Sequence, residues 1–364
     1  MSTNPTAQSG SRAGTPLRAG IAGAGWMGKT HAEAWSLNAP AAELVAVADV
    51  SAPRAYELCD AFGAEGARVH PDLDSLLADD RIDAVDICLP HHLHAAAILA
   101  AARAGKAILC EKPLCLTLEE ARAIRDGVGA AGVTFMSAHN NLFAPGLREA
   151  LAVLEAGTLG RVHYVRSTEA GRNAGFKSGR PPIALAEGES SWSWRADRER
   201  SGGGVVLDTG WHGAYRLLAL AGARPVAVSA MLADYFIGQS DAEDTGAVLV
   251  RFENGATGYL FTSWAFGDPP GSYQFQVGAE AGTLGGTATR LVYQRTGEDP
   301  VERDFQRRNT FAAEIGHFVE VVRGGATPLA TWDHAARTLQ LILGAYRAAA
   351  EGRTVSLPED PLAL

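Results

Sequence analysis

Cysteine, long apolar runs and clusters of positive charge are all scarce in this chain of 364 residues. Its four cysteines form no Cys-x-x-Cys pair, so we expect reduced packing residues in a cytoplasmic protein rather than a disulfide framework. No uncharged apolar run approaches the roughly 18 residues that span a bilayer. The net charge of -9, without a basic cluster, argues against nucleic acid or an anionic membrane as the principal partner.

Hydrophobic residues are plentiful, at 47% of the chain, which indicates a packed globular protein. At about 150 residues per domain, the length favours a protein of two domains. Residues 1–16 are rich in Ser, Thr, Gly and Asn and contain no apolar stretch. They are predicted to form a disordered tail and not a secretion signal.

Short apolar runs alternate with helical patterns in the first half of the chain. Buried strands joined by helices are typical of a parallel sheet with helices on both faces. Residues 17–140 are therefore predicted to form an α/β domain with a doubly wound parallel sheet. Its strands are predicted at residues 17–22, 43–48, 84–89, 107–110 and 133–137, and its helices at residues 27–37, 53–62, 94–104 and 118–131.

After residue 140, longer strand patterns follow one another directly. They are predicted at residues 162–168, 226–235, 245–253 and 256–264, and Asn254-Gly255 between the last two is a hairpin signal. A terminal helix is predicted over residues 332–351, ending at Gly352. Residues 141–364 are therefore predicted to form a second, α+β domain with a large, mostly antiparallel sheet.

A glycine-rich loop follows the first predicted strand and opens a helix, in the sequence Gly23-Ala24-Gly25-Trp26-Met27-Gly28. In this position, the first glycine allows a tight turn, the second lets a pyrophosphate approach the backbone, and the third lets the helix meet the sheet. The helix N-terminus adds N–H donors and partial positive charge. This pattern predicts a dinucleotide-binding loop.

An acidic residue at the end of the second strand refines the choice of dinucleotide. Asp49 stands 21 residues after Gly28, where a carboxylate accepts hydrogen bonds from the ribose hydroxyls and repels a 2'-phosphate. NAD is therefore favoured over NADP. Arg54 works against this preference, because an arginine there could pair with a 2'-phosphate.

Two further segments follow predicted strands of the first domain, at the sheet edge where open α/β sheets bind ligands. They are Leu89-Pro90-His91-His92-Leu93-His94 and Cys110-Glu111-Lys112-Pro113. An ammonium group at Lys112 could stabilise a developing alkoxide and hold a substrate hydroxyl in place. The alternative is a surface Glu-Lys pair that leads into a proline turn.

The clustered histidines of the first of these segments also raise the possibility of a metal site, as does the pair Asp208 and His212. Zinc sites need three or four converging ligands, and the sequence offers no obvious companion set. We therefore expect no metal.

Asp208 and His212 follow a run of three glycines. Four-residue spacing places both on one face if the stretch is helical, and the glycines could give a ligand access to the backbone. An imidazole next to a carboxylate suits acid-base chemistry near neutral pH. The alternative is a capped helix start with a buried histidine.

Taken together, these segments resemble the glucose-fructose oxidoreductase / inositol dehydrogenase / rhizopine catabolism family, Gfo/Idh/MocA. The resemblance covers nearly everything after the tail. It is carried by the glycine loop with His31, Pro90-x-x-x-His94, Glu111-Lys112-Pro113, Trp194-Arg195, and Gly202-Gly203-Gly204 leading to Asp208-x-Gly210-x-His212.

The resemblance implies an N-terminal Rossmann domain, a C-terminal α+β domain whose open sheet forms a homodimer or homotetramer, and NAD(P)-dependent chemistry at a sugar or polyol carbon. It makes Lys112 the catalytic lysine, His212 the general acid/base and Asp208 its partner. We assign to the cofactor Gly23, Gly25, Trp26, Met27, Gly28, Asp49, Leu89, Pro90, His91, His94, Glu111 and Lys112. We assign to the substrate Lys112, Asn140, Trp194, Arg195, Asp208 and His212.

Several positions depart from the common family pattern. His91 follows Pro90 where many members have Asn, Tyr215 stands where an Asp often follows the catalytic histidine, and residues 139–143 lack the usual arginine. They are expected near the pocket and bear on the substrate more than on the reaction. Trp192 and Trp194 could stack on a sugar face or simply pack a loop.

The sequence thus predicts an NAD-dependent oxidoreductase that moves hydride between nicotinamide and a sugar, inositol-like polyol or glycoside. Two alternatives remain open at this point. One is a glycoside-cleaving enzyme that oxidises its substrate only transiently, and the other is a dinucleotide sensor without catalysis.

Overall fold

The computed structural model describes residues 15–171, 193–235 and 242–364. Trp192 and most of the predicted tail, residues 1–14, lie outside these ranges. The chain divides into two compact units, residues 1–140 with 309–332 and residues 141–308 with 333–364. Among the described helices, none is both long and apolar enough to cross a membrane.

The first unit contains a parallel sheet with the strand order β3-β2-β1-β4-β5-β6. Its strands are β1 (Leu17–Ala22), β2 (Ala42–Ala48), β3 (Arg68–His70), β4 (Ala84–Ile87), β5 (Ala107–Cys110) and β6 (Phe135–Ser137). The intervening helices are α1 (Trp26–Ser36), α2 (Ala52–Phe62), α3 (Leu73–Leu77), α4 (His94–Arg103) and α5 (Leu118–Ala131). This order confirms the predicted doubly wound Rossmann sheet.

The sheet order reverses between β1 and β4, and ligands of such sheets bind at the carboxyl edge beside this reversal. The glycine loop follows β1, Asp49 follows β2, and Glu111 follows β5, so all three lie at that edge. The prediction did not include β3, which has only three residues, none of them fully buried. Such a short edge strand leaves too weak an apolar pattern to recognise.

The second unit contains a sheet with the order β14-β13-β12-β11-β7-β10-β9-β8-β15. Its strands are β7 (Val162–Ala170), β8 (Pro225–Ala233), β9 (Thr245–Phe252), β10 (Thr257–Ser263), β11 (Phe275–Ala279), β12 (Gly282–Gly286), β13 (Arg290–Arg295), β14 (Val301–Asp304) and β15 (Val355–Ser356). Among these described strands only β7 and β10 pair in parallel, which confirms the predicted mostly antiparallel sheet. The Asn254-Gly255 hairpin between β9 and β10 is also confirmed.

The remaining helices are α6 (Pro145–Glu155), α7 (Arg198–Ser201), α8 (Gly210–Ala221), α9 (Thr310–Val322) and α10 (Trp332–Glu351). Helix α8 packs on one face of the second sheet against β7 and β10, where Val165 and Leu260 are buried. Helix α10 has the predicted bounds, and Gly352 ends it in the left-handed conformation (φ 63°).

Helix α9 differs from the predicted domain division, which placed all residues after 140 in the second domain. It packs on α1 of the first unit: Phe318 meets Trp35 edge to face at 6.2 Å, and Asn38 donates a hydrogen bond to the carbonyl of Ala312. The sequence pattern shows that α9 has an apolar face. It does not show which unit covers that face, because the contact joins segments that are distant in the sequence.

Candidate active site

The three glycines of the loop after β1 have different surroundings. Gly23 has a positive φ of 103°, and a Cβ there would lie 2.5 Å from the carbonyl oxygen of Cys88. A Cβ on Gly28 would lie 1.9 Å from the carbonyl oxygen of Gly23. A Cβ on Gly25, however, would meet no described atom within 4 Å. Of the three, Gly25 therefore faces open space, as expected of the glycine that a pyrophosphate approaches.

Gly25 directly precedes α1 and, as a glycine, has no side chain with which to cap the start of the helix. Trp26 begins the helix with its side chain exposed, and Met27, which follows it, is half-buried. The first-turn N–H groups of this 11-residue helix can bind an anion. The loop thus fits a dinucleotide phosphate.

Asp49 is held against this loop by three hydrogen bonds. Its carboxylate accepts from the N–H groups of Ala24 and Ser51, each at 2.7 Å, and from the guanidinium of Arg54 at 2.9 Å. The side chain of Asp49 is largely buried, whereas that of Arg54 is half-exposed. Arg54 is therefore paired with the acid that favours NAD.

The Glu111-Lys112-Pro113 segment is fastened on both sides of its lysine. The carboxylate of Glu111 accepts from the backbone N–H of Lys112 at 3.1 Å, and the carbonyl of Pro113 lies 2.7 Å from Nδ1 of His94. The Lys112–Pro113 peptide bond is cis. Lys112 itself is half-buried at the carboxyl edge of the sheet.

His94 braces this segment against the turn after β4. Its Nε2 lies 2.8 Å from the carbonyl of Leu89, its other nitrogen contacts Pro113, and the ring is fully buried. Burial lowers the pKa of His94, outweighing the two carbonyl contacts. Both ring nitrogens of His94 thus face the protein's own backbone, and the assignment of His94 to the cofactor stays a prediction. The side chain positions the loop and offers no nitrogen to a ligand.

The turn itself is compact. The N–H of Leu93 donates to the carbonyl of Pro90, and His91 is buried with its ring 5.8 Å from that of His94. The carbonyls of Leu89 and Pro90 are thus engaged within the turn, and the assignment of both residues to the cofactor stays a prediction. The side chain of His91 packs inward.

One group of side chains in the described residues brings metal-ligand atoms within 4.8 Å of one another: His31, Asp86 and Cys88. These atoms already contact one another, since Nδ1 of His31 and Sγ of Cys88 each approach an oxygen of Asp86. Burial raises the pKa of Cys88 to about 12, which favours the thiol over the metal-binding thiolate. Hydrogen bonding accounts for this group, and the absence of a metal stays a prediction.

In the second unit, Asp208 forms an ion pair with Arg195. Nε of Arg195 donates to the Asp208 carboxylate at 2.9 Å, and both side chains are mostly buried. The same guanidinium stacks over the ring of Trp194, 4.2 Å from its centroid. The Trp194-Arg195 pair, assigned from sequence to the substrate, thus orients Asp208. Trp194 is itself buried, which agrees with the packing alternative.

Asp208 and His212 do not share one helix. Helix α8 begins at Gly210, so His212 lies in its first turn while Asp208 lies in the preceding turn. The N–H of Asp208 donates to the carbonyl of Gly204 at 3.1 Å. His212 is half-buried, and its N–H donates to the carbonyl of Thr209.

The glycine run before Asp208 does not give a ligand access to the backbone, and that expectation was wrong. A Cβ on Gly203 would lie 2.2 Å from the hydroxyl of Tyr346, and one on Gly204 would lie 1.9 Å from the carbonyl oxygen of Glu243. Gly202 ends α7 with a positive φ of 83°. These glycines are required by the protein's own packing.

Glu243 and Tyr346, which sequence reasoning missed, hold this turn in place. The buried carboxylate of Glu243 accepts from the N–H groups of Gly204 and Val206 and from the Tyr346 hydroxyl, at 3.1, 3.0 and 2.7 Å. Burial raises the pKa of both Glu243 and Tyr346. No motif surrounds either residue, so only the three-dimensional structure reveals them.

Two other positions singled out from the sequence make contacts within the protein. Asn140 donates from its side chain to the hydroxyl of Thr310 at 3.0 Å, tying it to the start of α9. Tyr215 is buried and stacks on His334 with ring centroids 3.9 Å apart. The side chain of Tyr215 thus packs into the interior of the second unit, and its place near the substrate stays a prediction.

Comparison with known proteins identifies both parts of the chain. Residues 17–139 match the model of the GFO_IDH_MocA oxidoreductase family with an NAD-binding Rossmann fold, and residues 147–285 match the GFO/IDH/MocA C-terminal domain. The inositol 2-dehydrogenase of Rhizobium meliloti (strain 1021) is 30% identical over 94% of this chain and 99% of its own. The scyllo-inositol 2-dehydrogenase (NAD(+)) of Bacillus subtilis (strain 168) is 28% identical over 94% and 96%.

The same architecture occurs in a levoglucosan dehydrogenase solved in complex with NADH and levoglucosan. The two share a TM-score of 0.84 and 24% identity, over 95% of this chain and 100% of the other. This likeness supports the fold. With both family matches and a relative 30% identical over nearly its full length, the chain belongs to the GFO/IDH/MocA family of NAD-binding oxidoreductases.

Proposed function

We propose that this protein is an NAD-dependent dehydrogenase or reductase that acts on a CH–OH carbon of a sugar, cyclic polyol or glycoside. The observation that carries the proposal is Lys112, held at the carboxyl edge of a Rossmann sheet whose Gly25 leaves room for a pyrophosphate. The relatives named as inositol dehydrogenases support a polyhydroxylated ring as the substrate class.

NAD is the cofactor we assign. The N–H groups after Gly25 would bind its pyrophosphate, and Asp49 would accept from the adenosine ribose hydroxyls. Because Arg54 is already engaged by Asp49, it supports the acid rather than offering a free site for a 2'-phosphate. When bound, the nicotinamide supplies the acceptor or donor of the hydride.

The roles of the catalytic groups follow from their chemistry. We assign to Lys112 the stabilisation of negative charge on the substrate oxygen as its proton leaves. His212 takes or returns that proton, and Asp208, fixed by Arg195, supports the charged form of His212.

A spectrophotometric screen tests the proposal. Purified protein is incubated with NAD or NADP and a panel containing myo-inositol, scyllo-inositol, levoglucosan and xylose, while the absorbance of reduced nicotinamide is followed. We expect substrate-dependent NADH formation. Cofactor binding without turnover in either direction would favour the sensor, and cleavage of a glycoside without net NADH would favour the transient-oxidation enzyme.

Substitutions then test the residue roles. Lys112→Met and His212→Ala should each lower kcat by about two to four orders of magnitude. The matched control is Lys29→Met, which removes an exposed lysine paired with Glu57. Full turnover in either single catalytic variant would overturn the assignment.

We also propose that the protein forms a homodimer or homotetramer through the second sheet. The face opposite α8 carries Met231 and Leu249, 82% and 53% exposed, where alternating neighbours in β9 are buried. Apolar side chains on an open sheet commonly cover one another in a symmetric pair. Light scattering should show an oligomer that Leu249→Lys dissociates, and a wild-type monomer would contradict this.

A further inference from the structure

A continuous set of buried hydrogen bonds leads to Lys112 from the interior of the first unit. Nε1 of Trp35 donates to Asp86 at 2.8 Å, and the same Asp86 oxygen lies 2.8 Å from Nδ1 of His31. Nε2 of His31 lies 3.0 Å from a carboxylate oxygen of Glu111. Trp35, Asp86 and His31 are completely inaccessible to solvent. The set thus joins α1, β4 and the end of β5.

The contacts of His31 identify its protonation state. Each ring nitrogen faces a carboxyl oxygen, and an ionised carboxylate can only accept, so with both acids ionised both nitrogens donate and the ring is an imidazolium. Burial by itself would lower the pKa of His31, but the charge of Asp86 opposes it and the pKa is raised well above its usual value. If His31 were neutral, the buried carboxylates of Asp86 and Glu111 would have no positive partner there, which would cost free energy of folding.

The other groups around His31 are compatible with one positive charge. Glu314, on α9, is fully buried, and burial raises its pKa well above the usual value, which favours its neutral form. The thiol of Cys88 remains protonated because burial raises its pKa, and Phe311 contributes an aromatic ring 5.6 Å from that of His31. Asp86 and Glu111 therefore share the single charge on His31.

Glu111 transmits this arrangement to the lysine. One carboxylate oxygen contacts His31, while the other accepts the backbone N–H of Lys112. The carboxylate cannot rotate without losing one of these bonds. The peptide that precedes Lys112 is thereby fixed by Glu111. This contact is independent of the one between His94 and Pro113, which follows the lysine.

We propose that His31 is a positioning residue for Lys112: as a buried imidazolium it fixes the Glu111 carboxylate, which in turn fixes the backbone from which the Lys112 ammonium projects. This inference rests on the role proposed for Lys112 in the reaction. His31 does not touch the substrate, and its effect reaches the reaction through the lysine.

The chain permits a test that does not need a substrate, because it contains only four lysines. Reductive methylation with ¹³C-formaldehyde gives each lysine an NMR signal, and Lys112→Arg identifies the signal of Lys112. In His31→Asn the amide can reach Asp86 but not Glu111, whereas in His31→Gln it can reach Glu111. We expect the Lys112 signal and its titration midpoint to move in His31→Asn and to return toward wild type in His31→Gln.

Two further variants separate positioning from stability. Trp35→Phe removes a hydrogen bond from the same set without touching Glu111, so it should lower the melting temperature and leave the Lys112 signal in place. Asp86→Asn keeps the shape but weakens the charge on His31, and should move the Lys112 signal in the same direction as His31→Asn. The Asp86→Asn variant therefore keeps the test decisive if His31→Asn does not fold.

Turnover provides a second readout, measured with the best substrate of the screen. A misplaced lysine should lower kcat in His31→Asn by about tenfold to a hundredfold with KM for NAD nearly unchanged, and His31→Gln should recover part of the loss. An unmoved Lys112 signal in folded His31→Asn or Asp86→Asn would overturn the inference. Absence of turnover in the wild type would instead count against the proposed function alone.

Discussion

The glycine loop of the first unit and the glycine run of the second differ in what lies beside them. A side chain on Gly25 would meet no described atom within 4 Å, whereas one on Gly204 would lie 1.9 Å from the carbonyl oxygen of Glu243. In the first case the space beside the glycine is open. In the second case the glycine admits the protein's own backbone.

The supports beneath the two candidate catalytic segments differ in a related way. Lys112 follows a strand of a parallel sheet, and its fastening residues lie on neighbouring strands and the adjoining helix. The turn that carries Asp208 depends on Glu243 and on Tyr346 of the C-terminal helix. A motif in the sequence therefore identifies a segment. Whether that segment packs within the protein or faces a ligand depends on residues that are distant in the sequence.

Gly204→Ala should have the largest effect on stability. The new Cβ would overlap the backbone of Glu243, which cannot rotate away as a flexible side chain could. We expect the free energy of unfolding to fall by about 3 kcal/mol or more. Chemical denaturation measures this, and a variant as stable as the wild type would break the contrast between the two glycine segments.

The next prediction concerns the pH dependence of stability, which is expected to differ between the two units. Burial lowers the pKa of His334 to about 4, below its unfolded value near 6.5, so its contribution to stability is full above pH 6.5 and is lost as the pH falls toward 4. His334→Phe keeps a ring against Tyr215 and removes this titration. Relative to this variant, the wild type should lose roughly 3 kcal/mol of unfolding free energy as the pH falls from 6.5 to 4.

The pH dependence of stability has the opposite sign for His31 in the first unit. Its pKa is raised, so its stabilisation is present below about pH 6.5 and is lost as the pH rises through the higher folded value. Denaturation curves of the wild type, His334→Phe and His31→Gln are measured over the same series of pH values. Parallel pH profiles for both variants would contradict the assigned charge states.

Tyr346→Phe should have a smaller effect. It removes one hydrogen bond to Glu243 but leaves the two backbone donors of the Asp208 turn in place. We expect a loss of about 1 to 2 kcal/mol in unfolding free energy together with a several-fold lower kcat. Unchanged kcat at reduced stability would show that the turn keeps its geometry without the hydroxyl.

Gly25→Ala should change binding and not folding. The backbone at Gly25 is compatible with alanine, and the added methyl enters space left for the cofactor. We expect an unchanged melting temperature and about tenfold weaker NADH binding, a cost of about 1.4 kcal/mol, by fluorescence titration. Tight binding in this variant would place the pyrophosphate elsewhere.

The sequence was sufficient to predict the order of elements in the first unit, because its buried strands and glycine loop produce strong local patterns. It also predicted the antiparallel second sheet and the terminal helix. The short strand β3 and the packing of α9 on α1 could not be predicted, since one leaves almost no pattern and the other depends on a contact between distant segments.

The same limit applies to the candidate site. Its position after a strand singled out Lys112, and spacing singled out Asp208 and His212; the roles of all three remain proposals. The sequence could not show that Arg195 pairs with Asp208 or that His94 contacts two backbone carbonyls, since these contacts join segments whose separation has no periodicity. Residue types indicate the available chemistry, and the fold decides which partner each group receives.

The most direct test of the central claim is the transfer of deuterium from substrate to nicotinamide. The best substrate of the screen is labelled at its reacting CH–OH carbon, and the NADH formed is analysed by mass spectrometry. Hydride transfer predicts one deuterium in each NADH molecule. Unlabelled NADH, or product formed without any NADH, would contradict a dehydrogenase that moves hydride directly from a sugar or polyol carbon.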